Sequence, residues 1–518
     1  MRKEPVKIKE RDSVSRVKDF EEVVKGFSEA EALQEAARCI QCHEPKCISG
    51  CPVGIDIKAF IGQITKKDYA AAYFTIRQKN NFPSICGRIC PAEYQCRKAC
   101  VFTKKGEPFA SREAIGIHFL ERFIGDYGAQ KRLQVNPIRN TMQINSNAIV
   151  SNGVKTANND KYSRIKVAVV GSGPAGLCCA GELARCGIKV VAFEGLHKTG
   201  GVLRYGIPPF RLPRDILDFE IGSLKKLGVE IRTNTIIGKV KVINELFAEG
   251  FSAIFLGLGA GIPSFIGIPG ENLCNIYSAN EFLTRVNLMS AHTFPVSHTP
   301  INIGKHIVVI GGGNTAMDAA RVAIRLQHMN GIDPDTTISY RRTEVEMPAR
   351  RLEIGHAKEE GVKFDLLVKP EEFISGEEGF VRKMRSSRCE LGEPDTSGRR
   401  RPVVIPGSSF EIDCDLAIVA IGLGANKILT SVTPQLATDK YGDVIVNPET
   451  METSIKGVFA GGDIVGGEGT VIEAMGMAKR AALAIRRSGI GQYILTPLSH
   501  KRSISIEQHI KINGSCHQ

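Results

Sequence analysis

Two strand–glycine–helix units constrain the fold of this chain more than any other feature of its sequence. In each unit a short run of apolar, mostly β-branched residues leads into a cluster of glycines, and a helical pattern follows. The units cover residues 165–186 and 306–328. Such a unit is the first βα turn of a dinucleotide-binding domain, in which parallel strands alternate with helices. The sequence therefore predicts two α/β domains with parallel sheets, each able to bind a dinucleotide.

The first unit predicts a site for the pyrophosphate of a dinucleotide. We expect the first glycine to make the turn, the second to let the phosphates approach the backbone, and the third to pack the helix against the strand. The positive end of the helix then faces the phosphates. Glu194 ends the next predicted strand, where an acid accepts hydrogen bonds from ribose hydroxyls. Strand, helix and acid together argue against a glycine-rich turn that binds nothing. The predicted residues of the cluster are Gly171, Ser172, Gly173, Pro174, Ala175 and Gly176.

The second unit differs from the first at the end of its second strand. The third glycine position holds Ala316, a variant that the dinucleotide fingerprint allows. The next predicted strand, 337–340, ends at two arginines and not at an acid. Because arginine there accommodates a 2′-phosphate, the sequence favours NADP(H) over NAD(H). The alternative is that both arginines form surface ion pairs. The predicted residues are Gly311, Gly313, Asn314, Thr315, Arg341 and Arg342.

A third glycine cluster lies near the far end of the chain. Gly462 and Asp463 follow a predicted strand, and Thr470 and Val471 begin a helix. This pattern resembles the second fingerprint of flavoproteins with two dinucleotide domains. There an acid binds the ribityl chain, and a helix N-terminus faces the flavin pyrimidine, where reduction places negative charge. The alternative is an aspartate that serves only as a turn residue.

Cysteines dominate the segment that precedes these domains, since eight of the 15 fall between residues 39 and 100. Two groups each contain a cysteine followed by proline, as in bacterial ferredoxins, where the last cysteine of a run ligates the other cluster. The sequence therefore predicts iron–sulfur clusters. Zinc sites and structural thiols are the alternatives, although only one Cys-x-x-Cys pair is present. The groups are Cys39, Cys42, Cys47 and Cys51, and Cys86, Cys90, Cys96 and Cys100.

Composition and charge narrow the class of protein. Apolar residues make up 42% and charged residues 24%, as in ordinary globular proteins. No apolar run reaches the length of a membrane helix, and the N-terminus lacks the apolar stretch of a secretory signal, so we expect a cytoplasmic protein. The net charge is +13, and residues 1–164 hold 28 Lys and Arg against 18 Asp and Glu, which places ten of these charges there. Interspersed acids and the lack of a known motif argue against nucleic acid, which leaves an acidic protein partner or a solvated surface.

Together these motifs resemble the glutamate synthase small-chain (beta-chain) family. That family includes the large subunit of NADH-dependent ferredoxin:NADP oxidoreductase and the N-terminal half of dihydropyrimidine dehydrogenase. The resemblance covers residues 25–487 and also rests on the segments 85–91, 120–123, 200–213, 340–343 and 347–349. It implies an α-helical iron–sulfur domain followed by an α/β flavoprotein in which an NADPH domain is inserted into an FAD domain. The implied ranges are 1–132 for the helical domain, 133–163 for a linker, 164–285 and 425–495 for the FAD domain, 286–424 for the NADPH domain, and 496–518 for a tail.

The resemblance also implies ligands for two [4Fe-4S] clusters. One set is Cys51, Cys90, Cys96 and Cys100. The other is Cys39, Cys42, Cys47 and Glu121, with Glu113 as the alternative carboxylate, and Cys86 is then a spare thiol. At the flavin the resemblance adds Gly201 and Leu203.

The activity that the resemblance implies is hydride transfer from NADPH to FAD, with single electrons leaving through the clusters. No side-chain acid or base is required, so we name no catalytic residue, and no Cys-x-x-Cys lies near the flavin motifs to support a dithiol mechanism. The predicted domains leave no room for the amidotransferase and FMN barrel of a glutamate synthase. The acceptor is then a separate large chain, or a ferredoxin-like protein served by a free-standing reductase. A zinc-binding interaction protein is the alternative that is not an enzyme.

Overall fold

Helices, two five-stranded parallel sheets and one three-stranded antiparallel sheet form most of the regular structure in the described residues. The computed structural model describes residues 4–104, 106, 109–111, 113–135, 142–143, 165–395, 398–467 and 469–487. Most of the predicted linker and the whole predicted tail lie outside these residues. In the described ranges, no helix is both long and apolar enough to cross a membrane.

The N-terminal segment is helical, as the sequence predicts. Its second helix begins after Ser28, whose hydroxyl accepts a hydrogen bond from the Glu31 backbone, while the Glu31 carboxylate accepts one from the Ser28 N–H. This reciprocal capping fixes the start of the helix. Cys47 and Cys86 lie within helices, Cys90 directly follows one, and the other five cysteines of the segment lie in the turns between helices. The α-helices are Ser13–Arg16, Glu29–Ala36, Lys46–Ser49, Ile57–Thr65, Tyr69–Arg77, Pro83–Ile89 and Ile117–Gln130.

The first parallel sheet carries two of the three glycine clusters. Two strands of two residues each, β1 (Gln134–Val135) and β2 (Met142–Gln143), precede it. Its own strands are β3 (Lys166–Val170), β4 (Lys189–Phe193), β5 (Glu230–Arg232), β6 (Ala253–Leu256) and β17 (Val458–Ala460). The strand order is β17-β6-β3-β4-β5, and each neighbouring pair is parallel. The helices of this domain are Pro174–Arg185, Val202–Tyr205, Arg214–Lys226, Ile243–Ala248, Lys427–Thr430, Asp463–Gly466 and Val471–Arg487.

The second parallel sheet is inserted between strands of the first. An antiparallel ribbon of β7 (Ala260–Pro263) and β16 (Leu423–Ala425) enters and leaves it. The strands of the inserted sheet are β8 (Ile276–Ser278), β9 (His306–Ile310), β10 (Asp335–Tyr340), β11 (Lys363–Leu366) and β15 (Leu416–Val419), and its helices are Ala279–Asn287, Asn314–Met329 and Arg351–Glu359. The strand order is β11-β10-β9-β15-β8, all parallel. An antiparallel sheet of β12 (Val368–Ser375), β13 (Val381–Pro394) and β14 (Arg400–Asp413) follows β11 and is not among the elements predicted from the sequence.

Hydrophobic packing and buried charge join these parts. One continuous core contains Phe60 and Phe82 of the N-terminal helices together with Leu183 and Met475 of the first α/β domain. A buried ion-pair network then ties the N-terminus to the inserted domain, since the Arg16 Nε lies 2.8 Å from Glu360. Breaking a pair that is buried this deeply leaves an uncompensated charge, so the network favours one arrangement of the domains.

Candidate functional site

The first glycine cluster and Glu194 meet at the carboxyl ends of β3 and β4. Glu194 is buried, and its carboxylate accepts hydrogen bonds from the Ser172 N–H at 3.0 Å and from the Leu196 N–H at 2.9 Å. The Ser172 hydroxyl makes a further, short contact with the same carboxylate. Ser172 also holds the neighbouring turn, because its carbonyl accepts a hydrogen bond from Gly200. The predicted acid is therefore fixed beside the glycine cluster.

The space in front of this cluster fits a pyrophosphate. A Cβ added to Gly201 (φ +54°) would lie 2.7 Å from the Gly173 Cα, so only glycine allows the two turns to approach so closely. A Cβ on Gly173 itself would meet nothing nearer than 4.0 Å. The helix Pro174–Arg185 has no side chain bonded to its first turn. Its orphan N–H groups are thus available to an anion.

The second glycine cluster has the same features. The helix Asn314–Met329 begins after Gly313 with no side-chain cap, and a Cβ on Gly313 would meet no atom within 4 Å. The space in front of this helix is therefore open to a second phosphate group.

The two arginines at the end of β10 have different surroundings. Arg342 is 5% exposed, and it donates hydrogen bonds to the Arg400 carbonyl and to the Asp395 carboxylate, each at 2.7 Å. Both acceptors lie at the tip of the β13–β14 hairpin. Arg341 is exposed and makes no hydrogen bond or ion pair with any other described residue. The geometry leaves only Arg341 free to contact a ligand.

The third glycine cluster lies at the carboxyl end of β17, in the sheet that holds Glu194. Asp463 accepts a hydrogen bond from Gly469 at 3.2 Å, and Thr470 caps the helix Val471–Arg487, which we call the flavin helix. Burial, with the nearby carboxylates of Asp463 and Glu194, raises the pKa of Tyr205 to about 12. Tyr205 lies close to both predicted carboxylates but was not among the predicted site residues, although the segment 200–213 that contains it contributes to the family resemblance.

Four cysteines line one cavity, and we call them the outer thiol group: Cys39, Cys42, Cys47 and Cys100. Isoleucines form much of the rest of the wall, among them Ile57 and Ile61. Burial raises the pKa of Cys47 to about 12, with the neighbouring thiols contributing. A thiol whose pKa is raised by burial loses its proton readily only when a metal cation binds the sulfur instead.

A second set, which we call the inner thiol group, consists of Cys51, Cys90, Cys96 and Glu121. Burial raises the pKa of Cys51 to about 11 and that of Cys96 well above its usual value, and Glu121 adds to both shifts. Glu121 itself is 6% exposed, and burial raises its pKa to about 8 against a hydrogen bond from Asn80 at 2.6 Å. A buried carboxyl beside one buried and two half-buried thiols has the donor set of a metal site.

The structure exchanges two residues between the sets that the resemblance implies. Cys100 lies with Cys39, Cys42 and Cys47, while Glu121 lies with the inner thiols. The helix Ile117–Gln130 brings Glu121 to the inner set, and the turns after Cys96 lead Cys100 back to the first cysteines. The spacing of the cysteines along the chain does not reveal this exchange of residues between the two sets. The alternative carboxylate, Glu113, is exposed.

The distances between these side chains can be compared with those that a zinc site requires. Among the residues that the structure describes, no three His, Cys, Asp or Glu converge closely enough to hold a single metal ion. A zinc site draws its ligand atoms to about 2.0–2.3 Å from the metal. A cubane cluster contains four irons and lies between thiolates that are further apart. The described thiols therefore lack the spacing of a site for a single metal ion.

The inner thiol group lies against the flavin helix. The Gln95 side chain, next to Cys96, donates a hydrogen bond to the Thr470 hydroxyl at 3.3 Å. A Cβ on Gly476 would lie 3.0 Å from the Pro52 carbonyl, which follows Cys51. The helical domain and the predicted flavin site thus meet at the inner group.

Comparison with known proteins identifies the family of this chain. Residues 16–133 match the family described as dihydropyrimidine dehydrogenase domain II, 4Fe-4S cluster, and residues 165–478 match the pyridine nucleotide-disulphide oxidoreductases. The glutamate synthase [NADPH] small chain of Azospirillum brasilense is 33% identical over 92% of this chain and 92% of its own length. The chain therefore belongs to the pyridine nucleotide-disulphide oxidoreductases and, within them, to the family of the glutamate synthase small chains. This confirms the predicted family and fold class.

Two further similarities have a narrower meaning. The NADP(+)-dependent formate dehydrogenase subunit beta of Moorella thermoacetica is 38% identical over 85% of this chain, but the chain spans only 59% of that protein. FprA of Mycobacterium tuberculosis, solved with NADPH, has a TM-score of 0.52 and 20% identity over 63% of this chain and 85% of its own, which shows the shared fold alone. The chain is an iron–sulfur oxidoreductase of the flavin- and pyridine-nucleotide-dependent class.

Proposed function

We propose that this chain oxidises NADPH and delivers single electrons, by way of FAD and two [4Fe-4S] clusters, to a separate acceptor protein. Bound FAD would supply the change from hydride to single-electron chemistry, and the clusters would supply the one-electron route. The observation that carries the proposal is the contact between the inner thiol group and the flavin helix. The relatives named above, with NADP(H) in their names, support the choice of nucleotide.

The chain's own residues would bind and orient FAD. The uncapped helix after Gly173 offers N–H groups to the pyrophosphate. Glu194, held by Ser172, offers a carboxylate oxygen to the ribose hydroxyls. Asp463 would bind the ribityl chain, and the N-terminus of the flavin helix would offer partial positive charge to the pyrimidine end of the flavin.

The inserted domain would bind NADPH through the uncapped helix after Gly313 and through Arg341. A guanidinium matches the geometry of a phosphate and forms charge-assisted hydrogen bonds with it. Arg342 would support this site indirectly, because its hydrogen bonds hold the tip of the β13–β14 hairpin.

The outer and the inner thiol groups would ligate the clusters. The outer thiol group supplies four thiolates, and the inner group supplies three thiolates and the Glu121 carboxylate. Because burial raises the pKa of Cys47 and of Cys96, cluster binding would release protons from these two thiols. The inner group adjoins the flavin helix, and the outer group lines a cavity with exposed residues, so the inner cluster would be the flavin-side one.

A pair of cysteine variants tests the proposal. Cys96→Ser removes an inner ligand, and Cys274→Ser is the matched control, because Cys274 is an exposed thiol far along the chain from the cluster segment. After anaerobic purification, Cys96→Ser should hold about half the iron of the unaltered protein. NADPH should still bleach its flavin band, while reduction of a one-electron protein acceptor collapses.

The control should match the unaltered protein in iron, flavin and acceptor reduction. Full iron content and full acceptor activity in Cys96→Ser would contradict the proposed route. Loss of flavin from this variant, in parallel with loss of iron, would instead show that the cysteine is needed to fold the domain.

A further inference from the structure

The inserted domain is covalently joined to the FAD domain through one two-stranded ribbon. Gly259 precedes β7 and Gly422 precedes β16, and both have a positive φ, at +68° and +116°. Glycines at the base of a ribbon are typical of hinges, so the ribbon alone restrains the orientation of the inserted domain weakly. Hydride transfer is sensitive to orientation, because it requires the reacting atoms to lie about 3–3.5 Å apart. The orientation of the inserted domain therefore depends on contacts outside the ribbon.

Residues 349–351, which we call the bridge segment, connect the inserted domain to the helical domain. The Tyr94 hydroxyl donates a hydrogen bond to the Ala349 carbonyl at 3.1 Å. The Arg351 N–H donates a second hydrogen bond, to the Glu93 carboxylate at 3.0 Å. Glu93 is 8% exposed, so water competes little for this hydrogen bond. Two successive residues of the helical domain are thus bonded to the backbone of the inserted domain.

The bridge segment also holds the second glycine cluster. The Arg350 N–H donates a hydrogen bond to the side-chain oxygen of Asn314 at 3.0 Å. The Ala349 N–H donates one to the Gly312 carbonyl at 3.2 Å. Asn314 begins the helix that we assign to the phosphates of NADPH. Three consecutive residues are therefore bonded to the proposed nucleotide site on one side and to the helical domain on the other.

The Arg350 side chain adds a further link, which ends beside the inner thiol group. Its guanidinium is buried and donates a hydrogen bond to the Arg88 carbonyl at 3.0 Å, and its Nε lies 3.8 Å from the Glu93 carboxylate. Arg88 lies in the helix Pro83–Ile89, which leads directly to Cys90. A charge buried this deeply is tolerated when it is paired and hydrogen-bonded, so Arg350 favours one orientation of the two domains.

We propose that Glu93 and Tyr94 are positioning residues for hydride transfer and that they act through the bridge segment. They would fix the second glycine cluster, and the NADPH bound to it, within reach of the flavin. The inference rests on the proposed function and gives the helical domain a role in the first step, before any electron passes through a cluster. Neither residue belongs to the predicted ligand sets, so their effect can be separated from the effect of losing a cluster.

Flavin reduction by NADPH measures this role directly. The full-length protein, purified anaerobically with its prosthetic groups, is mixed with a series of NADPH concentrations in a stopped-flow instrument. Glu93→Ala removes the acceptor of the Arg351 N–H and should lower the limiting rate about tenfold to hundredfold, since a displacement of about 1 Å can cost hundredfold in rate. The dissociation constant of NADPH should stay nearly unchanged, because Arg341 and the second glycine cluster move together with the nucleotide.

Three further variants grade and control this effect. Glu93→Gln keeps an oxygen that can accept the same hydrogen bond, so it should restore most of the rate. Tyr94→Phe removes one hydroxyl and should cause a smaller loss of rate. Glu245→Ala is the matched control, because the exposed Glu245 accepts a backbone hydrogen bond from Val242 at 2.8 Å within the FAD domain. Its flavin should be reduced at the rate of the unaltered protein.

Hydrogen exchange provides a readout that does not depend on turnover. The Arg351 amide should be protected in the unaltered protein and in Glu93→Gln, and it should exchange faster in Glu93→Ala, while the helix Asn314–Met329 keeps its protection. An unprotected Arg351 amide in the unaltered protein would overturn the inference. So would an unchanged rate of flavin reduction in both Glu93→Ala and Tyr94→Phe, or an equal loss of rate in Glu245→Ala.

Iron and flavin analysis of the same samples separates this inference from the proposed function. If Glu93→Ala loses iron, Tyr94→Phe decides: a slower rate at full iron content supports the positioning role, and an unchanged rate refutes it. An unaltered protein that holds iron and flavin, but whose flavin NADPH does not reduce, would instead refute the proposed function.

Discussion

Replacing the two arginines at the end of β10 one at a time should have two different effects. Arg341 is exposed and unpaired among the described residues, whereas Arg342 is bonded to the Asp395 carboxylate and to the Arg400 carbonyl. Only Arg341 has its guanidinium free for a 2′-phosphate. A charge-assisted hydrogen bond contributes about 1.5–3 kcal/mol. Arg341→Ala should therefore raise the KM for NADPH about tenfold to about hundredfold and leave the KM for NADH nearly unchanged.

Arg342→Ala should act mainly on stability. It removes an ion pair whose arginine side chain is 6% exposed and whose aspartate side chain is 22% exposed, and it leaves the Arg400 carbonyl without this donor. We expect a loss of about 1–3 kcal/mol, which corresponds to a fall of several degrees in the melting temperature. The KM values for NADPH and NADH should change together, because the hairpin tip shifts for both nucleotides.

Steady-state kinetics with both nucleotides and thermal melting of each variant measure these effects. Arg341→Lys is the informative intermediate, since it keeps the charge and loses the two-pronged geometry. The reasoning is refuted if Arg342→Ala selectively weakens NADPH with an unchanged melting temperature while Arg341→Ala has no effect.

Three further predictions concern the flavin site, the cluster partition and the domain junction. Gly201→Ala should abolish the flavin absorbance at unchanged iron content, because the added Cβ would lie 2.7 Å from the backbone of the first glycine cluster. A variant that retains flavin would contradict the assignment of the flavin pyrophosphate to this cluster. Cys100→Ser should remove about half the iron and leave the electron paramagnetic resonance signal of the inner group's cluster intact. Loss of that signal would instead favour the ligand sets that the family resemblance implies, in which Cys100 belongs with the inner thiols. His356 is buried, and its ring nitrogens lie 3.1 Å from Glu10 and 3.8 Å from Glu353; burial lowers its pKa, but the two carboxylates raise the pKa overall. A histidine whose pKa is raised by folding stabilises the fold below about pH 6.5, and this stabilisation is lost as the pH rises through the raised pKa. The difference in melting temperature between the unaltered protein and His356→Asn should therefore shrink at alkaline pH. A difference that stays constant with pH would argue against the ion pairs.

Features set by neighbouring residues could be predicted from the sequence. The strand before Gly171, the helix after it and Glu194 at the end of the next strand form one local unit, so a short pattern specifies all of them. The helix after Ser28 is similarly local, because its cap and its first turn are three residues apart.

Features set by distant residues could not be predicted in the same way. Which cysteine completes each thiol group depends on where the helix Ile117–Gln130 and the turns before Cys100 fold back, and spacing does not encode that. The burial of Arg342 depends on Asp395, which lies 53 residues further along the chain. The strand β14 was missed because both of its faces are largely accessible, so it lacks the apolar alternation by which strands are found.

The most direct test of the account is a count of the prosthetic groups on the full-length protein. Iron, acid-labile sulfide and FAD are measured on one anaerobically purified sample with metal analysis of zinc alongside. Two cubane clusters and one flavin predict about eight irons, about eight sulfides and one FAD per chain. About two zinc ions per chain without sulfide would contradict the assignment of both thiol groups to iron–sulfur clusters.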